Sequence, residues 1–456
     1  MKIHDTLSGS KKSFEPSLDK VRMYVCGITP YSSAHVGHAM SAIVFDVIRR
    51  YLEFKGYEVI HIQNFTDVDD KLIDRSAKEN ESVEVISERY IQEYIESLRT
   101  LNIKPAANYP RATMEIPSMI EFIEVLISKE FAYEVNGDVY FRVTKDPDYG
   151  KLSRRNLDSM RSSVGVEGLE KKEHPMDFSL WKTAKPGEPS WQSPWGLGRP
   201  GWHIECSAMA FNYLGKTIDI HGGGQDLVFP HHENEIAQSQ AYNQGEPLSK
   251  FWMHNGMMLF EDEKMSKSLG NLVTIDSAIK KHSANALRYL ILSSHYRSPA
   301  TYSDELMTSA GRAFQRLSNA ISAKPGEGAV LESTSFKENV LSAMDDDFNT
   351  PQALAAMFDF VREINSGISL GNNTSNAQAE LLGIAENIFG FTFSEPKVEI
   401  PDDLISKIET LIAKRENFRA IKEFSQADQI RDELSEMGIE LTDSHAGSNW
   451  QFKRKN

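Results

Sequence analysis

Hydrophobic and polar positions change period twice in the first 65 residues. Val21, Met23 and Val25 alternate with Arg22 and Tyr24 up to Gly27, the pattern of a short core strand running into a turn. Ile43, Val44, Val47, Ile48, Tyr51 and Leu52 then fall on one helical face. Residues 57–63 (YEVIHIQ) predict a second buried strand, so the three elements form a βαβ unit with a right-handed crossover. Residues 82–101 and 116–129 carry amphipathic helical spacing, and residues 137–143 alternate as a strand. Residues 151–195 are polar and broken by Gly and Pro, so 103–195 reads as an insertion between two halves of a doubly wound domain, with Trp181, Trp191 and Trp195 as packing anchors.

The pattern resumes after the insertion. Residues 201–209 lead into a helix, residues 217–220 form a short strand ending in HGGGQD, and a helix follows with Pro230 near its first turn. Consecutive glycines at a strand end permit positive φ and close approach of a ligand to the backbone. Residues 252–259 predict another strand, followed by a Ser/Gly loop with Lys264 and Lys267, a charge pair suited to phosphate. Amphipathic helices over 304–323, 336–344 and 350–367 predict a bundle, with a polar break at 371–379. Two more helices over 402–437 carry Lys414, Arg415, Arg419, Lys422 and Arg431, and a tail spans 438–452.

A chain of 456 residues implies several domains, and 40% hydrophobic with 25% charged residues is a globular composition. No apolar run is long enough to span a bilayer, and the N-terminal stretch MKIHDTLSGSKKSFEP lacks a signal-peptide core, so a cytoplasmic location is expected. The net charge of −15 argues against nonspecific coating of nucleic acid, though local basic faces remain compatible with a nucleic-acid substrate.

Only two cysteines occur, Cys26 and Cys206, and both fall at predicted element ends on one sheet edge. His231 and Glu235 stand one helical turn apart on a shared face, while His232 and Glu233 are expected to point elsewhere. Two thiolates, one imidazole and one carboxylate form a donor set suited to zinc. At the first turn, His35 and His38 sit where a helix N-terminus offers free N–H groups to an anion. The acidic loop around Asp69 and Asp70 follows the second strand, either at the rim of the site or as a helix N-terminus rich in Asp.

HVGH after the first strand and KMSKS after the last resemble the signature pair of class I aminoacyl-tRNA synthetases. Within that class, MYVCGITPY, NFTDVDDKLI, YGKLSRR, PMDFSLWK, PSWQSPWGLGRPGWHIECSAM, DIHGGGQDLVFPHHENEIAQS, MSKSLGN, MDDDFNTPQAL and ADQIRDELSEMGIELTD resemble the cysteinyl-tRNA synthetase family along essentially the whole chain. The resemblance implies an α/β fold: a class I Rossmann-type doubly wound parallel-sheet catalytic domain with an insertion, then an α-helical bundle and a small C-terminal anticodon-binding domain. The expected divisions are 1–102 and 196–278 for the catalytic halves, 103–195 for the insertion, 279–303 for a stem-contact connection, 304–395 for the bundle and 396–456 for the anticodon region.

It further implies that L-cysteine is activated with ATP and Mg²⁺ and transferred to tRNA(Cys) by a monomer. A single Zn²⁺ held by Cys26, Cys206, His231 and Glu235 would select the substrate, with Glu235 the labile ligand. His35, His38, Lys264 and Lys267 would act on the triphosphate. His221, Gly222, Gly223, Gly224 and Asp226 would meet the adenylate, and Thr66 and Trp202 would line the cysteine pocket. Phe424, Asp428, Arg431 and Trp450 become candidates for contacts with unstacked anticodon bases.

Ser32 and Met40 depart from the family pattern, which more often has aspartate and arginine there. KLID at 71–74 lacks the second lysine of the family's KIIK motif, and persulfide synthesis is not inferred from the resemblance. Two other readings stand beside the tRNA ligase: a cysteine-activating ligase with a small amine acceptor, as in mycothiol synthesis, and a non-catalytic paralogue that binds tRNA or senses zinc. The long C-terminal region opposes the first, and the intact signature residues oppose the second.

Overall fold

The structure, a computed structural model, describes residues 1–16, 20–157, 169–260, 263–264, 272–393, 402–421, 423–436, 439–444 and 447–452. The chain opens with an antiparallel hairpin, β1 (Lys2–Asp5) and β2 (Ser10–Ser13). β3 (Lys20–Ile28), α1 (Val36–Phe54) and β4 (Glu58–Phe65) come next, the two strands pairing in parallel with Val21 opposite Val59 and Tyr24 opposite Ile62. Helices α2 (Asp70–Glu79), α3 (Val83–Thr100) and α4 (Ile116–Ser128) succeed them. Strands β5 (Ala132–Val135), β6 (Asp138–Phe141), β7 (Phe178–Thr183), β8 (Trp191–Ser193) and β9 (Gly196–Pro200) form an antiparallel sheet of order β5-β6-β7-β9-β8, which runs on to Pro200. Trp181 is fully buried in the adjoining core, with Trp191 and Trp195 packed against it.

The second half supplies α5 (Trp202–Leu214), β10 (Ile218–Gly224), α6 (Glu233–Tyr242) and β11 (Ser249–Asn255). It completes a parallel sheet of order β11-β10-β3-β4. Two glycines let this sheet close. A Cβ on Gly27 would stand 1.6 Å from the Asn64 carbonyl oxygen, and one on Gly222 would stand 2.2 Å from the Phe45 ring on α1. The expectation of positive φ in the glycine run is corrected: Gly222, Gly223 and Gly224 continue β10 with ordinary φ, and the space beside the strand is what requires glycine there.

Short strands β12 (Met258–Phe260), β13 (Glu263–Lys264) and β14 (Ala300–Tyr302) form a third sheet around α7 (Ile275–Lys281) and α8 (Ala284–Leu292). The bundle comprises α9 (Asp304–Ser322), α10 (Thr334–Asp345), α11 (Thr350–Ser369) and α12 (Ser375–Asn387). The predicted break at 371–379 therefore ends at Ser375. Its polarity has an internal use: buried Gln378 donates to the Ala320 and Ala323 carbonyls at 2.8 and 2.7 Å, closing the end of α9.

The far end of α1 is tied to these helices. Asp46 accepts from Arg50 at 2.7 Å and from buried Arg288 of α8 at 2.5 Å, and Tyr51 donates to Asp345 of α10 at 2.7 Å. Residues 392–456 form a separate unit of α13 (Asp402–Ala420), α14 (Phe424–Glu436) and the hairpin β15 (Ile439–Ser444) and β16 (Gly447–Phe452). In that unit Arg415 is buried, Lys414, Arg419 and Arg431 are exposed, and Lys422 lies outside the described residues.

Candidate active site and metal centre

β3 and β10 lie side by side where the two halves of the chain diverge across the sheet, the place at which open parallel sheets bind ligands beyond their carboxyl ends. β3 brings Cys26 to this point, α5 brings Cys206, and α6 with the turn before it brings His231 and Glu235. Cys26 Sγ lies 3.6 Å from Cys206 Sγ and 3.6 Å from Glu235 Oε1, and His231 Nε2 lies 3.0 Å from Glu235 Oε1. Both thiols are free, and the four donor atoms lie within 4.8 Å of one another.

Tetrahedral zinc, with bonds of about 2.3 Å to sulfur and about 2.1 Å to nitrogen or oxygen, sets sulfur–sulfur separations near ~3.8 Å and sulfur–oxygen separations near ~3.6 Å. The cluster fits that ion. His203 Nδ1 stands 3.0 Å from His231 Nδ1, which turns Nε2 of His231 inward, and the Trp202 ring stacks on His231 at 4.2 Å.

Charge within the cluster is set by its burial and its crowding. Burial opposes ionisation of Glu235, but His221 and His231 outweigh it and hold the carboxyl well below its usual range. Burial likewise opposes a charged His231, yet Glu235 and Cys206 raise that imidazole to about 10. The hydrogen bond from Cys26 lowers the Cys206 thiol to about 6, while burial pushes Cys26 up. Oε2 of Glu235 is buried, with His221 Nε2 its neighbour at 3.3 Å.

Two expectations about neighbouring histidines are corrected. His232 does not point away: its Nε2 lies 3.3 Å from Cys26 Sγ. The chain kinks before α6, where Phe229 is extended (φ −140°, ψ 132°), so no single helical wheel runs through 228–232 and into α6. His221, expected at the adenylate, is wholly buried, stacked on Trp252 at 4.4 Å with Nε2 3.3 Å from Glu235 Oε2. Cys26, His221, His232 and Glu235 thus form a second close set sharing two members with the first. The set with two sulfurs is the better match to zinc. Glu233 does turn aside and accepts from the Ser153 N–H at 2.7 Å.

A second group lies at the start of α1. His35 caps the helix, its Nδ1 accepting from the Gly37 N–H at 3.1 Å, and His38 Nδ1 accepts from the His35 N–H at 3.2 Å. The two rings stack at 3.8 Å. Desolvation, then the neighbouring His35, brings His38 down to about 3; desolvation also lowers His35, against the raising charge of Asp226. Both rings are therefore neutral at pH 7, and with each Nδ1 accepting, each proton resides on Nε2. The pair is a set of neutral N–H donors rather than cations.

Val36 N–H donates to the Val273 carbonyl at 3.0 Å and Ile275 N–H to the Ala34 carbonyl at 2.9 Å, so the chain leaving the lysine loop is stitched beside His35. Lys267 itself lies outside the described residues, and Lys264 is described only as part of β13.

Thr66 is buried and donates to Glu205 at 2.9 Å, while Trp202 stays 40% exposed at the cluster's edge and Asp226 is exposed. Asp69 caps α2 by accepting from the Lys71 N–H at 2.9 Å, and Asp70 pairs with Lys182 and Arg199. Phe424, 60% exposed, Asp428 and Arg431 all lie on the surface of α14, and Trp450 belongs to β16. Glu205, His203 and His254 also belong to this neighbourhood and were not among the residues singled out from sequence. Nothing in local spacing marks them, because their partners come from other segments.

A family model described as the class I (C) tRNA synthetase catalytic domain matches residues 13–312, and a DALR domain model matches residues 339–394. A cysteine–tRNA ligase of Dehalococcoides mccartyi is 49% identical over 458 residues, covering 100% of both chains. One from Geobacter metallireducens is 46% identical, covering 99% of this chain and 100% of that relative. In fold, the chain is similar to Mycobacterium tuberculosis methionyl-tRNA synthetase in complex with methionyl-adenylate (TM-score 0.58, 16% identity, 82% of this chain and 88% of that one). It is similar too to the Agrobacterium radiobacter K84 agnB2 LeuRS–tRNA–LeuAMS ternary complex (TM-score 0.60, 12% identity, 82% and 85%).

Proposed function

The chain belongs to the cysteinyl-tRNA synthetase family of class I, and from that premise we propose how its residues divide the work of joining L-cysteine to tRNA(Cys) with ATP. The observation that carries this reading is the buried set Cys26, Cys206, His231 and Glu235, four donors from distant segments meeting within 4.8 Å. When bound there, zinc supplies preference for soft sulfur over the hydroxyl oxygen of serine, a distinction an apolar pocket makes poorly. Cys26, Cys206, His231 and Glu235 would hold the ion, with Glu235, the carboxylate beside two thiols, as its labile donor. Trp202, the exposed wall of the cluster, and Thr66, fixed by Glu205, bound the cysteine pocket.

Activation is attack of the cysteine carboxylate oxygen on the α-phosphorus, with loss of pyrophosphate. Negative charge grows on the phosphate oxygens, and fixed donors lower the barrier most when aimed at that charge. The Nε2–H groups of His35 and His38 are such donors, neutral and locked by their own backbone bonds. Gly222, Gly223, Gly224 and Asp226 lie at the edge of the adenylate. Lys264 and Lys267 add positive charge to the departing pyrophosphate, a role supported by the hydrogen bonds that hold Val273 and Ile275, which follow these lysines in sequence, against the signature turn.

The DALR match and the exposed face of α14 support tRNA contact by the C-terminal part, with Phe424, Asp428, Arg431 and Trp450 at the anticodon. We take the working unit to be a monomer of the cytoplasm, since one chain supplies every residue of the cluster. No described helix is long and apolar enough to cross a membrane. ATP–pyrophosphate exchange with each amino acid, then charging of total tRNA, tests the reading. Exchange confined to cysteine, with charging, is expected; exchange without charging would favour a small amine acceptor.

A further inference from the structure

Only two cysteines occur in the 456 residues, and the fold brings them into contact. Cys26 Sγ and Cys206 Sγ stand 3.6 Å apart, the separation of two sulfur atoms with nothing between them. Asn64 ties both segments together: its Oδ1 accepts from the Gly27 N–H at 2.9 Å and lies 3.8 Å from Cys206 Sγ. An ion that holds its sulfurs near ~3.8 Å apart keeps them from joining. A sulfur–sulfur bond is about 2.0 Å long, so thiols released from the ion need approach by only about 1.6 Å to become a disulfide.

The two thiols are not equally reachable. Cys26 is 8% exposed and Cys206 1%, so a reagent entering the cluster meets Cys26 first, and Cys206 stands behind it. The way in is the side bounded by Trp202, the exposed wall assigned to the cysteine pocket. A pocket shaped for one cysteine also receives one half of L-cystine, its disulfide-linked dimer. The bonded sulfur of that half then lies where the substrate sulfur would lie. An attacking thiol with a second thiol in contact behind it is the arrangement that thiol–disulfide exchange requires.

We propose that Cys26 and Cys206 are a modification site, oxidised to a disulfide by exchange with L-cystine. The proposal rests on the reading of the cluster as the wall of a cysteine pocket. The Cys26 thiolate bonds to one cystine sulfur, the cystine sulfur–sulfur bond breaks, and one cysteine leaves with the electron pair. The Cys206 thiolate then bonds to the Cys26 sulfur and displaces the second cysteine. Two protein thiolates lose two electrons, one cystine becomes two cysteines, and two protons come from solvent. Left with His231 and Glu235 alone, the cluster gives up its ion. Free L-cysteine runs the same steps backwards. The site therefore follows the ratio of oxidised to reduced substrate and halts activation when the oxidised form prevails.

The test exposes full-length, zinc-loaded wild type to L-cystine or to D-cystine, which has the same oxidising power and differs only in its fit to a chiral pocket. Released zinc is read with a chromogenic chelator, and the thiols by intact mass and peptide mapping. L-cystine is expected to release the ion and link Cys26 to Cys206 within one chain, about tenfold or more faster than D-cystine. A thiol reductant with added zinc should then restore the metal content. Cys206→Ser should stop at a cysteinyl group on Cys26, seen in the same mapping. Retained zinc with both thiols free, equal rates for the two enantiomers, or a cysteinyl group on wild-type Cys26 with no link to Cys206 would overturn the proposal. Absence of cysteine-dependent ATP–pyrophosphate exchange in untreated wild type would instead remove the reading beneath it, and the proposal would fall with that reading.

Discussion

Replacing Gly222 by alanine tests the claim that α1 must lie hard against β10. An added Cβ would stand 2.2 and 2.4 Å from two carbons of the Phe45 ring. Carbon atoms settle near ~3.5 Å, so ring or strand must give by about 1.3 Å. Phe45 is 1% exposed, and a close-packed interior leaves it little room to turn aside. The displacement therefore passes to α1, whose first turn carries His35 and His38. Overpacking of this kind costs about 1–3 kcal/mol of stability, and a misplacement of about 1 Å in a catalytic group costs on the order of 10²-fold in rate. The assay is cysteine-dependent ATP–pyrophosphate exchange beside urea unfolding. G222A should lose on the order of 10²-fold in exchange, and the double variant G222A/F45L should recover most of it by giving the methyl space. Exchange within about twofold of wild type for G222A, with an unmoved unfolding midpoint, would refute the packing argument.

Other parts of the molecule lead to outcomes of their own. Glu235→Gln should purify with less zinc by elemental analysis and should discriminate less well between cysteine and serine; full zinc content with unchanged selectivity would remove Glu235 from the ligand set. Burial, then Arg49, lowers His61 to about 3, so its protonation is disfavoured by folding: the stability it confers is present above its unfolded value near ~6.5 and is lost as pH falls toward about 3. Between about pH 7.5 and about pH 5 that loss is about 2 kcal/mol, and urea unfolding of His61→Phe should show a correspondingly flatter pH dependence. Arg431→Ala should weaken tRNA binding and charging several-fold without altering exchange; unchanged charging and affinity would exclude that side chain from the anticodon.

Much of the catalytic half is readable in the sequence because its signals are local. The alternation of Val21, Met23 and Val25 and the apolar stripe from Ile43 to Leu52 correspond to β3 and α1, and both are buried as their spacing implies. His231 and Glu235 meet because they lie one helical turn apart. His232 escapes a helical-wheel reading because the chain kinks through an extended Phe229 just before it, so the wheel does not begin where the sequence spacing starts it. Gln378 escapes for a different reason: its polarity serves the carbonyls of α9, a partner 55 residues away that composition cannot name. The glycine run is visible as a constraint but not its cause, since what Gly222 must accommodate is the ring across from it.

The ties of Asp46, Arg50 and Tyr51 to Arg288 and Asp345 bear on how the molecule can be taken apart. A piece truncated ahead of α8 would keep the whole parallel sheet, yet it would leave Asp46 without its Arg288 partner and free one end of the rod whose other end presents the imidazoles. Catalytic competence is therefore not severable from the helices beyond the sheet: an isolated N-terminal fragment should bind metal and still activate cysteine poorly, and adding back the missing helices should restore the rate.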